Sequence, residues 1–437
     1  MKESLFIEFI RSIFPKLNLY VKEKEAPKKR TYLHKTMLRE DYSADQKWEG
    51  TSAKTTYVAA DIVEMDSPLP IKKRGSIATS NGKLPKIGMK KILFESDINN
   101  INIMKAHYQM AATDEAKKAE KARIINKLMD DGVACSVGID EKNEMNFLIG
   151  LSEGVVAIPD EDNSGKALRI NYGYLAENSF KTVTKDVVEK DDLQRVFDKA
   201  DADGNTIVKV MLAKTKFNEM RRQQWAKELV ADFLGKTYDS DTKLPVPSAN
   251  NFADALEDEF GAVFERVDRT VIIEKNGKQK SVKPWNADRI IFLCNEQVGT
   301  LVWGTLAEAT NPVEGVQYST VDNYKLISKY SKNEPSLQEM TSGQALVLPV
   351  IEDVDQIYSL ATDEAEEVDT EAETSDSTDQ YTTYKGEKYK KADLIAALKA
   401  LGANVKSNST DETIIKAINA LSDEDEEKLL ASVTPQE

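Results

Sequence analysis

Two stretches of mixed polar and apolar residues, Leu69 to Thr79 and Lys83 to Leu93, flank the tripeptide Ser80-Asn81-Gly82. Asn-Gly is typical of a type I′ turn, because both central residues of that turn take a positive φ. The pattern predicts a long β-hairpin from Asp66 to Glu95, with arms of roughly 35 Å. A two-stranded ribbon is marginal in water by itself. We therefore expect it to pack against another copy of the chain, with packing on its own domain as the alternative.

Helical periodicity begins at Asp97 and is predicted to end at Gly132, which suits the residue after a helix. A second helical piece is predicted from Glu141 to Leu151, before Gly154. Amphipathic helices are also predicted from Phe217 to Leu234, stopped by Gly235, and from Phe252 to Phe260, stopped by Gly261.

Strand patterns alternate with these helices, which predicts an α+β fold. The predicted strands are Val155 to Ile158, Leu168 to Tyr174, a hairpin of Thr270 to Glu274 and Lys280 to Lys283 around Asn276-Gly277, and the buried strands Arg289 to Cys294 and Gly299 to Trp303.

The C-terminal part has a different composition. Residues 362–380 carry nine acidic residues and no basic or aromatic residue, which is typical of a disordered linker. Beyond the linker we predict a separate small all-α module with helices from Ala392 to Leu401 and from Ser409 to Leu421. Ser409 with Glu412 forms a capping box, and Ser422 with Asp425 caps a third helix.

Charge is uneven along the chain. Residues 361–437 hold 19 acidic and 8 basic residues, so most of the net charge of −15 lies there. Residues 1–40 hold ten basic and five acidic residues, and residues 15–60 lack clear periodicity. We therefore predict an extended basic N-terminal arm that meets acidic protein or nucleic acid. No apolar run approaches the ~20 residues of a membrane helix, and no secretory signal is expected.

Two segments resemble ligand-binding motifs, but each lacks residues that the motif requires. Asp201 to Gly204 resembles a calcium loop, but its register places Lys199 and Val210 where carboxylates are needed, which favours a turn. Gly235-Lys236-Thr237 resembles a phosphate loop, but Val230 replaces the first glycine, which favours helix capping.

The other reactive residue types also favour a structural role. Cys135 and Cys294 stand apart from each other and from any histidine, so neither a disulfide nor a zinc site is predicted, and a reducing compartment fits. Of the two histidines, His34 falls in the loose arm and His107 among helical residues. Trp225, Trp285 and Trp303 are predicted to fill the core. We predict no enzyme activity, no catalytic, cofactor or metal residues, and no cofactor.

Residues 58–95, including Ala-Ala-Asp-Ile-Val-Glu-Met-Asp-Ser-Pro-Leu-Pro-Ile-Lys-Lys-Arg at 59–74, resemble the major capsid proteins of tailed phages, of the phage lambda capsid protein E type. The likeness continues in order through Glu144 to Gly154, Asn171-Tyr172-Gly173, Pro284 to Gly304 and Tyr330 to Leu360. It covers most of residues 55–360, and the order of these loose motifs carries more weight than any one of them.

The resemblance implies the HK97-like capsid fold, with an extended N-arm, an E-loop hairpin, a long spine helix, and peripheral and axial domains. The implied parts are the N-arm (1–60), the E-loop (61–96), the peripheral domain with the spine helix (97–204), the axial domain (205–345), a return to the peripheral domain (346–360), the acidic linker (361–380) and a small helical module (381–437). This last module resembles HeH, LEM or SAP domains, in which DNA binding is frequent.

The function implied by the resemblance is self-assembly into an icosahedral head shell that encloses double-stranded DNA in the virion, with assembly in the host cytoplasm. The implied partners are further copies in hexamers and pentamers, portal and scaffolding proteins, and packaged DNA through non-specific contact, with a decoration protein left open and no membrane. The E-loop residues expected at subunit contacts are Lys72, Lys73, Arg74, Asn81, Gly82, Lys83 and Lys86. Two alternatives remain: the shell protein of an encapsulin-like nanocompartment, and a nucleic-acid-binding protein acting through residues 381–437.

Overall fold

Helices and strands alternate along the chain in the computed structural model, which describes residues 2–25, 31–53, 77–158, 168–236, 244–275, 277–365, 381–385, 387–390, 394–395, 397–398, 411–419, 421 and 429. The chain divides into two units, Met1–Glu366 and Glu367–Glu437. Since both element types build the first unit, the predicted α+β class is confirmed.

The helices of the first unit are α1 (Ile7–Ile10), α2 (Leu17–Glu25), α3 (Leu33–Met37), α4 (Glu95–Met110), α5 (Asp114–Glu153), α6 (Lys190–Ala202), α7 (Lys214–Met220), α8 (Gln224–Phe233), α9 (Ala249–Phe260) and α10 (Ala307–Thr310). The Asp201 to Gly204 segment ends α6 and Gly235 follows α8 with a positive φ, as the turn and capping predictions expected. The helix predicted from Phe217 to Leu234 is two helices, α7 and α8.

The strands of the first unit are β1 (Leu38–Tyr42), β2 (Lys47–Ala53), β3 (Ile77–Lys83), β4 (Lys86–Leu93), β5 (Val155–Ile158), β6 (Leu168–Asn171), β7 (Ser179–Thr182), β8 (Lys209–Ala213), β9 (Val263–Val267), β10 (Val271–Lys275), β11 (Lys278–Val282), β12 (Arg289–Leu293), β13 (Gly299–Gly304), β14 (Gln317–Val321), β15 (Lys325–Lys332), β16 (Gln338–Ile351) and β17 (Ile357–Ala365). They form a six-stranded sheet in the order β1-β13-β16-β15-β14 with β4 also on β16, a five-stranded sheet in the order β7-β17-β12-β8-β9, and the pairs β2-β3, β5-β6 and β10-β11. The predicted hairpin of β10 and β11 and the buried strands β12 and β13 are confirmed.

Helix α5 is the spine of the first unit. Its 40 residues extend for about 60 Å. Thr113 caps its start by accepting a hydrogen bond from the Ala116 N–H at 3.2 Å, and Gly154 ends it in the left-handed conformation with φ +70°. The predicted stop at Gly132 was wrong. A Cβ at Gly132 would lie 3.2 Å from Leu17 Cδ2, so this glycine allows α2 to pack closely against α5 and does not end the helix.

The predicted hairpin turn at Asn81-Gly82 was also wrong. Both residues lie inside β3, where Asn81 pairs with Glu49 and Gly82 pairs with Trp48 of β2. Strand β4 pairs instead with β16, in a register that joins Lys86 to Leu346. The hairpin is therefore made by β2 and β3, and the stretch that connects them, residues 54–76, lies outside the described residues.

The N-terminal residues do not form an extended arm along the part that is described. Buried apolar side chains of residues 2–25 pack with α4, α5 and β15 in one core cluster: Phe6, Phe9, Ile10, Phe14, Leu17 and Val21. Residues 31–42 form α3 and β1, and β1 pairs in parallel with β13. The sequence argument missed this because the helices are short and their apolar residues sit between charged ones.

The two large sheets do not follow the predicted boundaries. Strands β13, β14 and β15 lie within the range 205–345 assigned to an axial domain, and β16 runs across the end of that range, but all four join β1 and β4 in the sheet that packs on α5. Strand β7 and helix α6 precede residue 205, but they pack with β8, β12 and β17 around the second core. Residues 361–365, assigned to the acidic linker, continue β17.

Among the described residues of the second unit, two strands and one helix have defined bounds: β18 (Tyr381–Tyr384), β19 (Glu387–Lys390) and α11 (Asp411–Asn419). β18 and β19 pair antiparallel, so the all-α prediction for this module was wrong. Tyr384, Tyr389, Leu394, Leu398, Ile414, Ile418 and Leu429 are buried together, and α11 falls within the helix predicted from Ser409 to Leu421. Residues 366–380 lie outside the described part of the chain.

Candidate assembly interface

Strands β2 and β3 form a two-stranded ribbon that pairs seven residues of each strand, from Lys47 with Lys83 to Ala53 with Ile77. At about 3.3 Å per residue the paired part is roughly 23 Å long. Two-stranded ribbons gain little stability by themselves. The stability of this ribbon therefore depends on the residues that its base packs against.

The base of the ribbon is held by Trp48 and Leu84, which are 5% and 7% exposed and belong to the core cluster below the six-stranded sheet. The Trp48 ring lies 6.4 Å from the Tyr172 ring. The Leu84 N–H donates to the Gln46 carbonyl at 2.9 Å. A Cβ at Gly82 would lie 2.8 Å from Trp48 Nε1, so the absence of a side chain at Gly82 makes room for the indole.

The predicted contact residues fall into three groups. Lys72, Lys73 and Arg74 lie outside the described residues. Asn81, Gly82 and Lys83 stand together at the base of β3, and Lys86 begins β4 three residues later. Asn81, Lys83 and Lys86 are exposed, so these three side chains are accessible to a neighbouring molecule.

A buried ionic cluster lies where α3 meets α5. The Glu144 carboxylate accepts hydrogen bonds from the Leu33 and His34 backbone N–H groups, both at 3.0 Å, and its Oε2 lies 2.7 Å from His34 Nδ1. His34 and Glu144 are 0% and 1% exposed. His34 is therefore part of a packed site, and its predicted place in a loose arm was wrong. His107 is exposed.

Asp140, one helical turn before Glu144, continues the cluster toward β15. Its Oδ2 accepts from Lys35 Nζ at 2.9 Å and from Lys325 Nζ at 2.6 Å. Both lysines also donate to Asp322, at 3.2 and 2.8 Å. Three carboxylates thus face two lysines and one histidine, and the cluster ties α3, α5 and β15 together.

The electrostatics of the cluster favour the ionised forms of Glu144 and Asp322. Burial alone would raise the pKa of Glu144, but the hydrogen bonds and charge of His34 and the two backbone N–H groups lower it below its usual range. Burial would likewise raise the pKa of Asp322, yet Lys325 and Lys35 lower it to about 2. Asp140 and Glu144 lie in the unbroken polar run Asp140-Glu141-Lys142-Asn143-Glu144, so the local sequence pattern does not indicate this buried site.

A second polar contact fixes the first residues of the chain. Ser4 Oγ and the Leu5 N–H both donate to the Glu339 carboxylate on β16. The Lys2 N–H donates to the Ser331 carbonyl at 3.1 Å, and Lys2 accepts from Ser331 in return. The N-terminal segment is thus attached to β15 and β16 of its own six-stranded sheet.

Reactive chemistry is poorly supported among these residues. Burial raises the pKa of both the Cys135 and Cys294 thiols to about 12, and a thiolate is needed for nucleophilic attack.

Within the described ranges, no cluster of three histidine, cysteine or acidic residues is arranged to hold a metal ion. No helix of the described residues combines the length and apolar character that crossing a membrane requires.

No family model matches the sequence, and no curated protein matches it. Solved structures are similar to this chain. A protein of an E. coli CFT073 prophage, assigned as a capsid protein, is 12% identical, with a TM-score of 0.49, over 80% of this chain and 98% of that one. The procapsid of satellite phage P4 gives 10% identity and a TM-score of 0.38 over 79% and 90% of the two chains. An encapsulin from Synechococcus elongatus gives 10% and 0.30 over 75% and 85%.

Proposed function

We propose that this chain is a major capsid protein that self-assembles into the icosahedral head shell of a tailed phage. The observation that carries the proposal is the β2–β3 ribbon: it pairs with no further strand among the described residues, and its base is fixed by Trp48 and Leu84. Since a ribbon of this kind needs a packing partner, a neighbouring copy of the chain is the partner we assign to it.

Two further features support this function. The 40-residue helix α5 packs along β16, β15 and β4, which gives the first unit a stiff spine beside the ribbon. The sequence motifs that resemble phage capsid proteins follow one another in the same order along residues 55–360. A shell subunit needs a rigid body and an accessible connector, and these residues supply both.

The finer partners follow from the proposed role. Hexamers and pentamers of this chain would form the shell in the host cytoplasm, with portal and scaffolding proteins and, where the shell requires it, a decoration protein. Residues 1–360 carry nearly equal numbers of acidic and basic residues, so their contact with packaged DNA would be weak and non-specific. A strongly cationic lining would instead bind DNA tightly through counterion release. The proposed role requires no enzymatic activity.

Electron microscopy and sedimentation of the purified full chain test the proposal. Closed shells of hundreds of copies support it, whereas only small oligomers under all assembly conditions would overturn it. Shells isolated from the native source should protect DNA from nuclease. Shells filled with a protein cargo would instead indicate the nanocompartment alternative. Nucleic-acid binding without shells, lost on deletion of residues 381–437, would indicate the nucleic-acid-binding alternative.

A further inference from the structure

Strand β1 has little buried surface of its own. It is an edge strand of the six-stranded sheet. Leu38 is buried, whereas the next three side chains are exposed and Tyr42 is 50% exposed. An edge strand held mainly by backbone pairing on one side opens readily. The position of β1 must therefore depend on how its two ends are held.

The N-terminal end of β1 is held by the ionic cluster. Leu33, His34 and Lys35 precede β1 directly, and they contact Glu144 and Asp140 on α5. Asp140 also binds Lys325, so this end of β1 is tied both to the spine helix and to the sheet. Loss of one charged partner from a buried group is costly, because the remaining polar groups stay desolvated.

The C-terminal end of β1 leads directly into the ribbon. Only residues 43–46 separate β1 from β2. The Ser43 N–H donates to the Trp303 carbonyl at 2.8 Å, and the Gln46 side chain donates to the Thr305 carbonyl at 3.1 Å. Movement of β1 would pull on these contacts and on the Gln46 carbonyl that binds Leu84.

We propose that the Glu144–His34 and Asp140–Lys35 contacts form a latch that positions the β2–β3 ribbon through β1. Glu144 and Asp140 act as positioning residues, and β1 carries their effect over the distance between the latch and the ribbon base. The latch determines whether the ribbon is held in one orientation on the subunit or released. The inference is independent of the proposed function, because it concerns the unassembled chain.

Hydrogen–deuterium exchange of the unassembled full-length chain tests the latch. In Glu144→Gln, the side-chain carbonyl oxygen can still accept a hydrogen bond from one of the two backbone N–H groups of Leu33 and His34. The side-chain NH₂ faces the other N–H group, which then has no acceptor. We expect exchange in residues 38–53 and 77–86 to rise about tenfold, as loss of charged hydrogen bonds implies. Exchange in β12, in the other sheet, should not change. The matched control is Glu120→Gln, which removes a partly exposed ion pair with Arg123 on the same helix.

A milder variant keeps the test decisive if Glu144→Gln does not fold. Lys35→Met retains the apolar stem of a side chain that is 35% exposed, and it should raise exchange in the same two segments by roughly threefold. Unchanged exchange in residues 38–53 of a folded variant would overturn the proposal. An equal rise in every segment, including β12, would overturn it as well, because that result means a general loss of stability.

Discussion

Gly82 of β3 lies opposite Trp48 of β2, and a Cβ atom at Gly82 would come within 2.8 Å of the indole Nε1. The ribbon base therefore depends on a position without a side chain. Gly82→Val should displace the indole from the core and lower the free energy of unfolding by about 1–3 kcal/mol, as overpacking does. Urea titration followed by tryptophan fluorescence measures the change.

Asn81→Val is the matched control for this prediction, because it places the same side chain on the neighbouring, exposed position of the same strand. It should change the unfolding free energy by less than about 0.5 kcal/mol. Equal destabilisation by both variants would mean that strand propensity, and not the contact with Trp48, determines the effect.

Asp322 gives a pH prediction with a defined sign. Its pKa is lowered to about 2 in the folded chain from an ordinary value of 3.8. A lowered carboxyl pKa stabilises the folded state above the unfolded pKa, and that stabilisation is lost as the pH falls from about 4 to about 2. Asp322→Asn, which tolerates the positive φ at this position, should therefore cost about 2 kcal/mol at pH 7 and little near pH 2.

Unfolding free energies of the parent and Asp322→Asn chains between pH 2 and pH 7 check this expectation. A constant difference across the whole range would contradict it, because a constant cost points to lost packing or backbone strain. The pKa of Glu144 is also lowered in the folded chain. Its contribution to the free energy of unfolding should therefore also be lost as the pH falls below the ordinary pKa of a glutamate.

The reactivity of the Cys135 and Cys294 thiols tests whether their surroundings exclude solvent. Because desolvation raises the pKa of Cys135 and Cys294 to about 12, less than roughly a thousandth of either thiol is ionised at pH 8. Both should react with a disulfide reagent far more slowly in the folded chain than in urea. Rapid reaction of one thiol in the folded chain would show that its surroundings open to solvent.

The connector between β2 and β3 carries Lys72, Lys73 and Arg74. Reversing these three charges to Glu should leave the subunit folded and reduce shell yield to roughly a tenth or less, because repulsive charges at an interface slow association and weaken it. Circular dichroism reports folding and sedimentation reports yield. The same reversal at Lys117, Lys118 and Lys121, which are exposed on α5, is the control, and an unfolded connector variant would point to packing within the subunit.

Short sequence patterns predicted part of this fold correctly. They failed where contact with a residue distant in the sequence determines the local structure. Gly277 does lie in the turn of a hairpin, at φ +75°, whereas Gly82, which also follows an asparagine, lies within a strand. The difference lies in Trp48, more than thirty residues away, which packs on Gly82. The prediction that a helix ends at Gly132 was wrong for the same reason, because Leu17 packs against this glycine from another helix.

The ionic cluster could not be predicted from the residues next to His34. The surrounding basic residues suggested a loose arm, while the partner of His34 is Glu144, 110 positions away along the chain. Asp140 and Glu144 lie in an unbroken polar run, residues 140–144, so the local pattern indicates neither their burial nor their partners. Long-range pairing of this kind requires the tertiary structure.

The central claim, that this chain builds a shell through its ribbon, is tested most directly by an electron cryo-microscopy reconstruction of particles assembled from the full chain. We predict an icosahedral shell in which β2 and β3 of each subunit lie across an adjacent subunit. A reconstruction in which the ribbon contacts only its own subunit, or the absence of any closed shell, would contradict the account.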